Sequence, residues 1–400
     1  MKADKKDSSN KDITLVSIPG LAIKMDKKGD FVHLKAHGPL RKACAPFLKR
    51  INERLEAEKP AFVDEDKVIA STWLPPIPSK AFNRLLLAET QIALGRYIPE
   101  TVSFEITRNC KCNCEHCVVS EGEGDLDLDI IKQAIDDVLD MGAMVIVFTE
   151  GDPMLREEIY ELIDYVDKER AIVNMYTPGT EMTPDNARRL KEAGLHNLLI
   201  SIYSTNPEKH DEVRRLEGAY EMATGAMRMG LEAGLLVTMT THVSPKNIDE
   251  LPAMYELAKD IGVHEFSLWE SVPKKKGDRI ITDDDRHKVL EMYHRINSTK
   301  GGPRIFANTY FEGEMLGCMA GQRWLSVCVD GLVKPCCYIP FHYGNIQDSS
   351  IKDIWSKIRK DRHFRGQRNR CLMQEQEYLE LVDKIPEGAS KPYDIEKIES

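Results

Sequence analysis

Hydrophobic and polar positions along the chain fall into a repeating pattern between residues 99 and 300. Short apolar runs at 102–107, 144–149, 171–176, 197–202, 236–241 and 265–269 read as buried strands. Between them, at 128–141, 156–168, 184–193, 220–233 and 247–261, apolar residues recur every three or four positions, the pattern of helices with one buried face. Strand and helix therefore alternate. Parallel strands need crossover helices, so the fold class expected is α/β, a partial (β/α)6 parallel barrel. In such folds ligands bind at the carboxyl ends of the strands.

The flanks read differently. Two strand-like pieces, 20–25 and 30–34, are separated by a turn at 27–30. Helical patterns follow at 40–58 and 80–94, and the proline-rich segment from Trp73 to Pro78 between them cannot be helix. Beyond residue 300, strand-like pieces at 324–329 and 332–334 flank an Asp330-Gly331 turn, and 351–358 reads as helix. The expected organisation is a tail (1–12), an N-terminal α+β accessory domain (13–98), the β/α core (99–300), a small C-terminal domain (301–385) and a charged tail (386–400).

Composition adds exclusions. The net charge of −10 argues against sequence-independent nucleic-acid binding. No apolar run approaches the ~18 residues of a membrane span, and the polar N-terminus carries no apolar export segment. A cytoplasmic location is expected, where ten cysteines suggest metal or redox chemistry rather than disulfides. Nine of them lie in two groups, at 110–117 and 318–371. Cys44 stands alone and reads as a small buried apolar residue.

The first group, in TRNCKCNCEHCVVS, directly follows the first core strand. Four thiolates in eight residues suit one iron–sulfur cluster. A four-iron cluster held by three cysteines keeps one iron open for chemistry. A four-cysteine zinc site and a closed electron-transfer cluster are the alternatives. Zinc knuckles pair two short loops, and no second pair lies nearby; the closed cluster's C-x2-C-x2-C spacing is absent.

Cys110-x3-Cys114-x2-Cys117 after the first strand of a β/α repeat resembles the signature of the radical S-adenosylmethionine superfamily. The resemblance implies a [4Fe–4S] cluster on Cys110, Cys114 and Cys117. S-adenosylmethionine would chelate the fourth iron and be cleaved by one electron to methionine and a 5′-deoxyadenosyl radical. Cys112 is left out of that ligand set. His116 would lie beside the adenine. Glu150-Gly151-Asp152-Pro153 resembles the family's Gly-Gly-Glu-Pro turn at the methionine amino group, with Glu150 a departure. Thr177, Ser201, and Arg214 or Arg215 match further cofactor contacts, the arginine toward the methionine carboxylate.

The second group, Cys318-x12-Gly331-x4-Cys336, with Gly344-Asn345-Ile346 and the helix after it, resembles the SPASM or twitch extension of the same superfamily. The two-cluster pattern is incomplete, since only Cys371 follows. One auxiliary [4Fe–4S] cluster on Cys318, Cys336 and Cys371 is implied, the fourth ligand being open between Cys337, Cys328, substrate and solvent. Zinc is the alternative there. Adjacent Cys336 and Cys337 should point in opposite directions if extended.

The expected function is reductive cleavage of S-adenosylmethionine and hydrogen abstraction from a peptide or small-molecule substrate, with reduced ferredoxin or flavodoxin as donor. A peptide or protein substrate is slightly favoured because the N-terminal region offers a docking domain. Maturation of a tetrapyrrole or other cofactor is one alternative. A non-catalytic iron–sulfur or zinc protein is another.

Overall fold

A computed structural model describes residues 13–28, 31–64, 66–93, 95–114, 116–120 and 124–399. The tail expected at 1–12, the tip of the turn at 29–30 and the helix end at 94 lie outside the described residues.

The N-terminal unit opens with three antiparallel strands, β1 (Ile13–Ile18), β2 (Leu21–Lys28) and β3 (Phe31–His37), in the order β1-β2-β3. Helix α1 (Arg41–Ala57) packs on this sheet. The small ribbon β4 (Phe62–Val63) and β5 (Val68–Ile69) and helix α2 (Lys80–Ala93) complete the unit. It has its own small apolar core, including Leu15, Ile23, Leu48, Phe82 and the buried Cys44.

The six strands expected of the core are all present and parallel: β6 (Thr101–Glu105), β7 (Val145–Thr149), β8 (Ile172–Thr177), β9 (Asn197–Ser201), β10 (Leu236–Val243) and β11 (Glu265–Glu270). Helices α3 (Leu128–Met141), α4 (Ile159–Tyr165), α5 (Pro184–Glu192), α6 (Pro207–Arg214), α7 (Ala219–Glu232) and α8 (Leu251–Ile261) cross between them. Helix α9 (Asp283–Asn297), not expected, starts with a reciprocal cap between Thr282 and Asp285 and buries Val289, Met292, Tyr293 and Ile296.

Two more parallel strands extend the sheet. β12 (Arg304–Ala307) joins β11, and β13 (Trp324–Val327) joins β6 at the opposite edge, followed by antiparallel β14 (Val333–Lys334). The expected boundary at 300/301 therefore runs through one nine-stranded sheet, β12-β11-β10-β9-β8-β7-β6-β13-β14. The 324–334 hairpin forms as expected, but β13 spends its other edge on the core. The expected tail at 386–400 is also corrected: Tyr393–Asp394 pairs with Phe341–His342, and Ile395 is buried. The apolar Ile395 between charged neighbours is what anchors it.

The sheet stays open between β12 and β13. Trp73, from the proline-rich segment, fills that seam. Its ring lies 5.7 Å from Phe306 on β12, 6.2 Å from Trp324 on β13 and 5.3 Å from Trp269 on β11. Its Nε1 donates to Ser267 Oγ at 3.3 Å, and the neighbouring Thr72 donates to buried Glu265 at 2.7 Å. Replacing Trp73 by alanine removes this plug and should cost about 3–5 kcal/mol, the range for a large buried aromatic. The check is a lower thermal midpoint for Trp73→Ala, with Trp73→Phe in between.

Candidate active site

The strand ends of β6 to β11 and the C-terminal hairpin close around one cavity of about 430 Å³. Eight cysteines line it: Cys110, Cys112, Cys114, Cys117, Cys318, Cys336, Cys337 and Cys371. The two cysteine groups, 200 residues apart in sequence, thus share one chamber.

The first cysteine loop leaves β6 and is held by backbone contacts from two other rim elements. The amide of Asp152 donates to Asn109 O at 2.7 Å, and the amide of Asn113 donates to Arg214 O at 3.0 Å. Gly151 makes the first contact possible. A Cβ there would press on the carbonyl of Thr107 and lie 2.7 Å from that of Asn109, and its φ of +61° is itself one that favours glycine. Glu150 before it takes φ 62°, the strained departure from the glycine pattern.

Cys112 does not turn away. Its amide lies 3.4 Å from Cys110 Sγ, and its thiol sits between those of Cys110 and Cys114. Hydrogen bonding from Cys112 lowers Cys110 to about 7 and Cys114 to about 6, against the opposing effect of burial. Lys274 Nζ donates to Cys117 O at 3.1 Å, so the basic run at 274–276 touches this loop.

Of the arginine pair, Arg214 lines the cavity. Arg215 is exposed and caps α6 in a left-handed conformation. The Arg214 guanidinium donates to Ser201 O at 3.1 Å, lies 3.7 Å from Cys114 Sγ, and stacks over Tyr203 at 4.9 Å. Its Nε is buried and has no acceptor among the described residues. His116 packs edge-on against Tyr203 at 4.5 Å and His242 at 5.1 Å. Burial, with His242 and Arg214 adding to it, lowers His116 to about 3, so it is a neutral ring.

His116, Glu150, Gly151, Thr177, Ser201 and Arg214 are brought together on the cavity wall. Asp152 and Pro153 lie buried outside that wall. The Asp152 carboxylate accepts from Thr177 Oγ1 at 2.8 Å, Thr180 Oγ1 at 2.9 Å and its own helix-start amide at Met154, so it ties β7 to β8. Burial leaves its pKa above the usual carboxylate range.

The C-terminal cysteines divide by direction. The free thiols of Cys318 and Cys371 share a hydrogen bond, with Cys336 beside them; burial raises Cys336 to about 12. Cys337 faces the other way, toward Glu150, Lys334 and Tyr176. Cys328 lies off the cavity, fully buried beside Lys334 and Ser120. The Tyr378 hydroxyl, buried next to Cys336 and Cys318, has no partner among the described residues. An unsatisfied donor beside three thiols suits a cluster's sulfur atoms. The unpaired Nε–H of Arg214 similarly suits a carboxylate. Both donor sets therefore fit the groups that the cysteine motifs imply.

Lys334 joins the two halves. It is 2% exposed, and its Nζ donates to Glu105 Oε1 at 2.8 Å and to Cys337 O at 3.1 Å. Burial alone would lower its pKa; Cys328, Glu105 and Glu150 outweigh that and raise it. Glu150, beside this pair, is pushed to about 7 by burial and Glu105. Residues not singled out from the sequence include Tyr203, His242, Tyr338, Lys334 and Glu312. Tyr203 and His242 stand at the carboxyl ends of β9 and β10, where the rim rule points. Tyr338, from the hairpin, comes within 3.4 Å of His242 Nε2.

The family model for the Radical SAM superfamily matches residues 104–258, and that for an iron–sulfur cluster-binding domain (SPASM) matches 318–376. The chain belongs to the radical S-adenosylmethionine superfamily. It is an enzyme of the SPASM-extended kind, working with a [4Fe–4S] cluster, S-adenosylmethionine and auxiliary iron–sulfur. An AdoMet-dependent heme synthase of Methanosarcina barkeri is 27% identical over 68% of this chain and 88% of its own length. The antilisterial bacteriocin subtilosin biosynthesis protein AlbA of Bacillus subtilis is 27% identical over 65% of this chain and 60% of its own. Streptococcus suis SuiB, solved bound to its precursor peptide SuiA, has the same fold over 90% of both chains, with TM-score 0.59 and 13% identity. Among the described residues of this radical S-adenosylmethionine enzyme, no helix is long and apolar enough to cross a membrane.

Gly151→Ala should displace the cysteine loop and lower iron loading at least severalfold, read by iron and sulfide analysis after anaerobic reconstitution. Gly225→Ala, within α7 with open space around it, should load normally.

Proposed function

We propose that this enzyme modifies a peptide substrate by hydrogen abstraction, with Cys110, Cys114 and Cys117 holding the catalytic cluster. When bound, that cluster and S-adenosylmethionine supply a 5′-deoxyadenosyl radical. Arg214 receives the methionine carboxylate, using the N–H that has no acceptor within the protein. His116, neutral and held by Tyr203 and His242, packs beside the adenine. Trp269, Trp324 and Tyr176 wall the cavity with apolar surface and keep water out. Cys318, Cys336 and Cys371 hold the auxiliary cluster in the same chamber. The electron comes from reduced ferredoxin or flavodoxin, in a cytoplasmic setting.

The observation that carries the peptide reading is the reach of the SuiB likeness. With its precursor peptide bound, SuiB matches 90% of this chain, so the likeness reaches into the N-terminal unit. The N-terminal unit, with its three-stranded sheet, is therefore the docking domain in this reading, and Trp73 connects it to the cavity wall. A tetrapyrrole substrate is the second reading, favoured by the heme synthase relative.

Anaerobic incubation with dithionite and S-adenosylmethionine should yield 5′-deoxyadenosine. Cys114→Ala should abolish it, and Cys112→Ala should retain most of it; full turnover by Cys114→Ala would sink the assignment. Deuterium transfer into 5′-deoxyadenosine from a labelled precursor peptide supports the peptide reading. Transfer only from a labelled iron porphyrin reverses it.

A further inference from the structure

We propose that Glu312 is the fourth protein ligand of the auxiliary cluster, binding iron through a carboxylate oxygen beside Cys318, Cys336 and Cys371. This rests on the reading that those three cysteines hold a cluster, and adds the residue that completes it. A carboxylate oxygen of Glu312 and the sulfur atoms of Cys318 and Cys371 all lie within 4.8 Å of one another. Cys336 lines the same cavity and neighbours both Cys318 and Glu312.

Local backbone creates this meeting. Phe311–Met315 forms a π-helical turn directly after the short helix Asn308–Tyr310, the kind of distortion found at functional sites. It places Glu312 at the cavity while Phe311 packs on Phe306 at 4.6 Å. The amide of Cys318 then donates to Arg368 O at 3.0 Å, and a Cβ on Gly317 would lie 2.9 Å from that same oxygen. This close approach brings the strand of chain before Cys371 against the one before Cys318. The arrangement is thus built by the polypeptide itself.

Glu312 also has no hydrogen-bond or ion-pair partner among the described residues. The titratable groups around it are Cys318, Cys336, Cys371, Tyr338 and Glu270, and Glu270 is already held by Arg286 at 2.9 Å and Gln374 at 3.0 Å. A half-buried carboxylate beside thiols with no cation is unfavourable, and a cluster iron supplies that cation. The other candidates are placed elsewhere: Cys337 faces Glu150 and Lys334, and Cys328 lies off the cavity. Oxygen is a harder donor than thiolate and a weaker match for cluster iron. The iron on Glu312 is therefore the exchangeable corner of the cluster. Glu312 and Cys371 also line a second cavity of about 440 Å³ beside α9, so that corner is reachable from two sides.

The test uses the full chain with Cys110, Cys114 and Cys117 replaced by alanine, so that only the auxiliary cluster remains. Reconstituted anaerobically, it should hold about four irons. Adding Glu312→Ala should make ferricyanide oxidation release about one iron in four and produce the EPR signal of an oxidised three-iron cluster. Glu312→Cys should suppress both effects. Mössbauer spectra of the intact holoenzyme enriched in 57Fe give an independent readout: Glu312→Gln should remove a distinct oxygen-bound iron subsite. The ligand assignment falls if Glu312→Ala resists oxidation like its parent and the subsite is unchanged. Iron content unaffected by Cys318→Ala and Cys371→Ala, or zinc in place of iron, overturns the underlying cluster reading instead.

Discussion

Lys334 and Glu105 meet at 2.8 Å with 3% and 0% of their side chains exposed. Removing one partner of such a buried pair typically costs about 3–5 kcal/mol, because the other charge is left unpaired. Glu105 ends β6, the strand that leads into the first cysteine loop, and Lys334 ends the hairpin that leads into Cys336 and Cys337. The pair therefore locks the C-terminal extension to the catalytic rim in one register. It acts together with the β13–β6 ladder and with the ion pair of Arg108 and Asp330 at 3.1 Å.

From that lock follows a division within the cavity. Cys336 looks toward Cys318, Cys371 and Glu312, while Cys337 looks toward Glu150 and the catalytic side. Two neighbouring residues thus mark the border between the two halves of the site. Lys334, donating to Cys337 O, stands at that border and balances Glu105 and Glu150 together. The strained backbone of Glu150 belongs to the same arrangement: its turn must present Gly151 to the cysteine loop, whatever residue precedes it.

Much of this was legible in the sequence because it depends on local pattern. The β/α alternation, the cysteine spacings and the turn at Asp330-Gly331 each reflect a short-range rule. Cys336 and Cys337 do face apart, but they lie in a bend and a turn, not in the extended chain for which that alternation is expected. What was hidden depends on partners far along the chain. β13 reads as half of a hairpin, and only its pairing with β6 makes it a core strand. Trp73 reads as an irregular proline-rich segment until the seam it fills is seen. Asp152 also accepts from two threonine hydroxyls across the β7–β8 gap, a tie that no local pattern announces. Glu312 has no motif at all; a π turn aims it.

The β6–β13 pairing has a further consequence, in time rather than in space. Its register partners Thr101 and Trp324 stand 223 residues apart in the chain. At synthesis rates of ~5–20 residues per second, that separation corresponds to roughly ten to forty seconds on the ribosome. Throughout that interval the edge of β6 is unpaired, Lys334 has not yet been made, and the first cysteine loop lacks its C-terminal cover. The chamber can close around its metal only after most of the chain has left the ribosome, so the order of synthesis leaves the first cysteine group accessible to iron delivery before the second one exists.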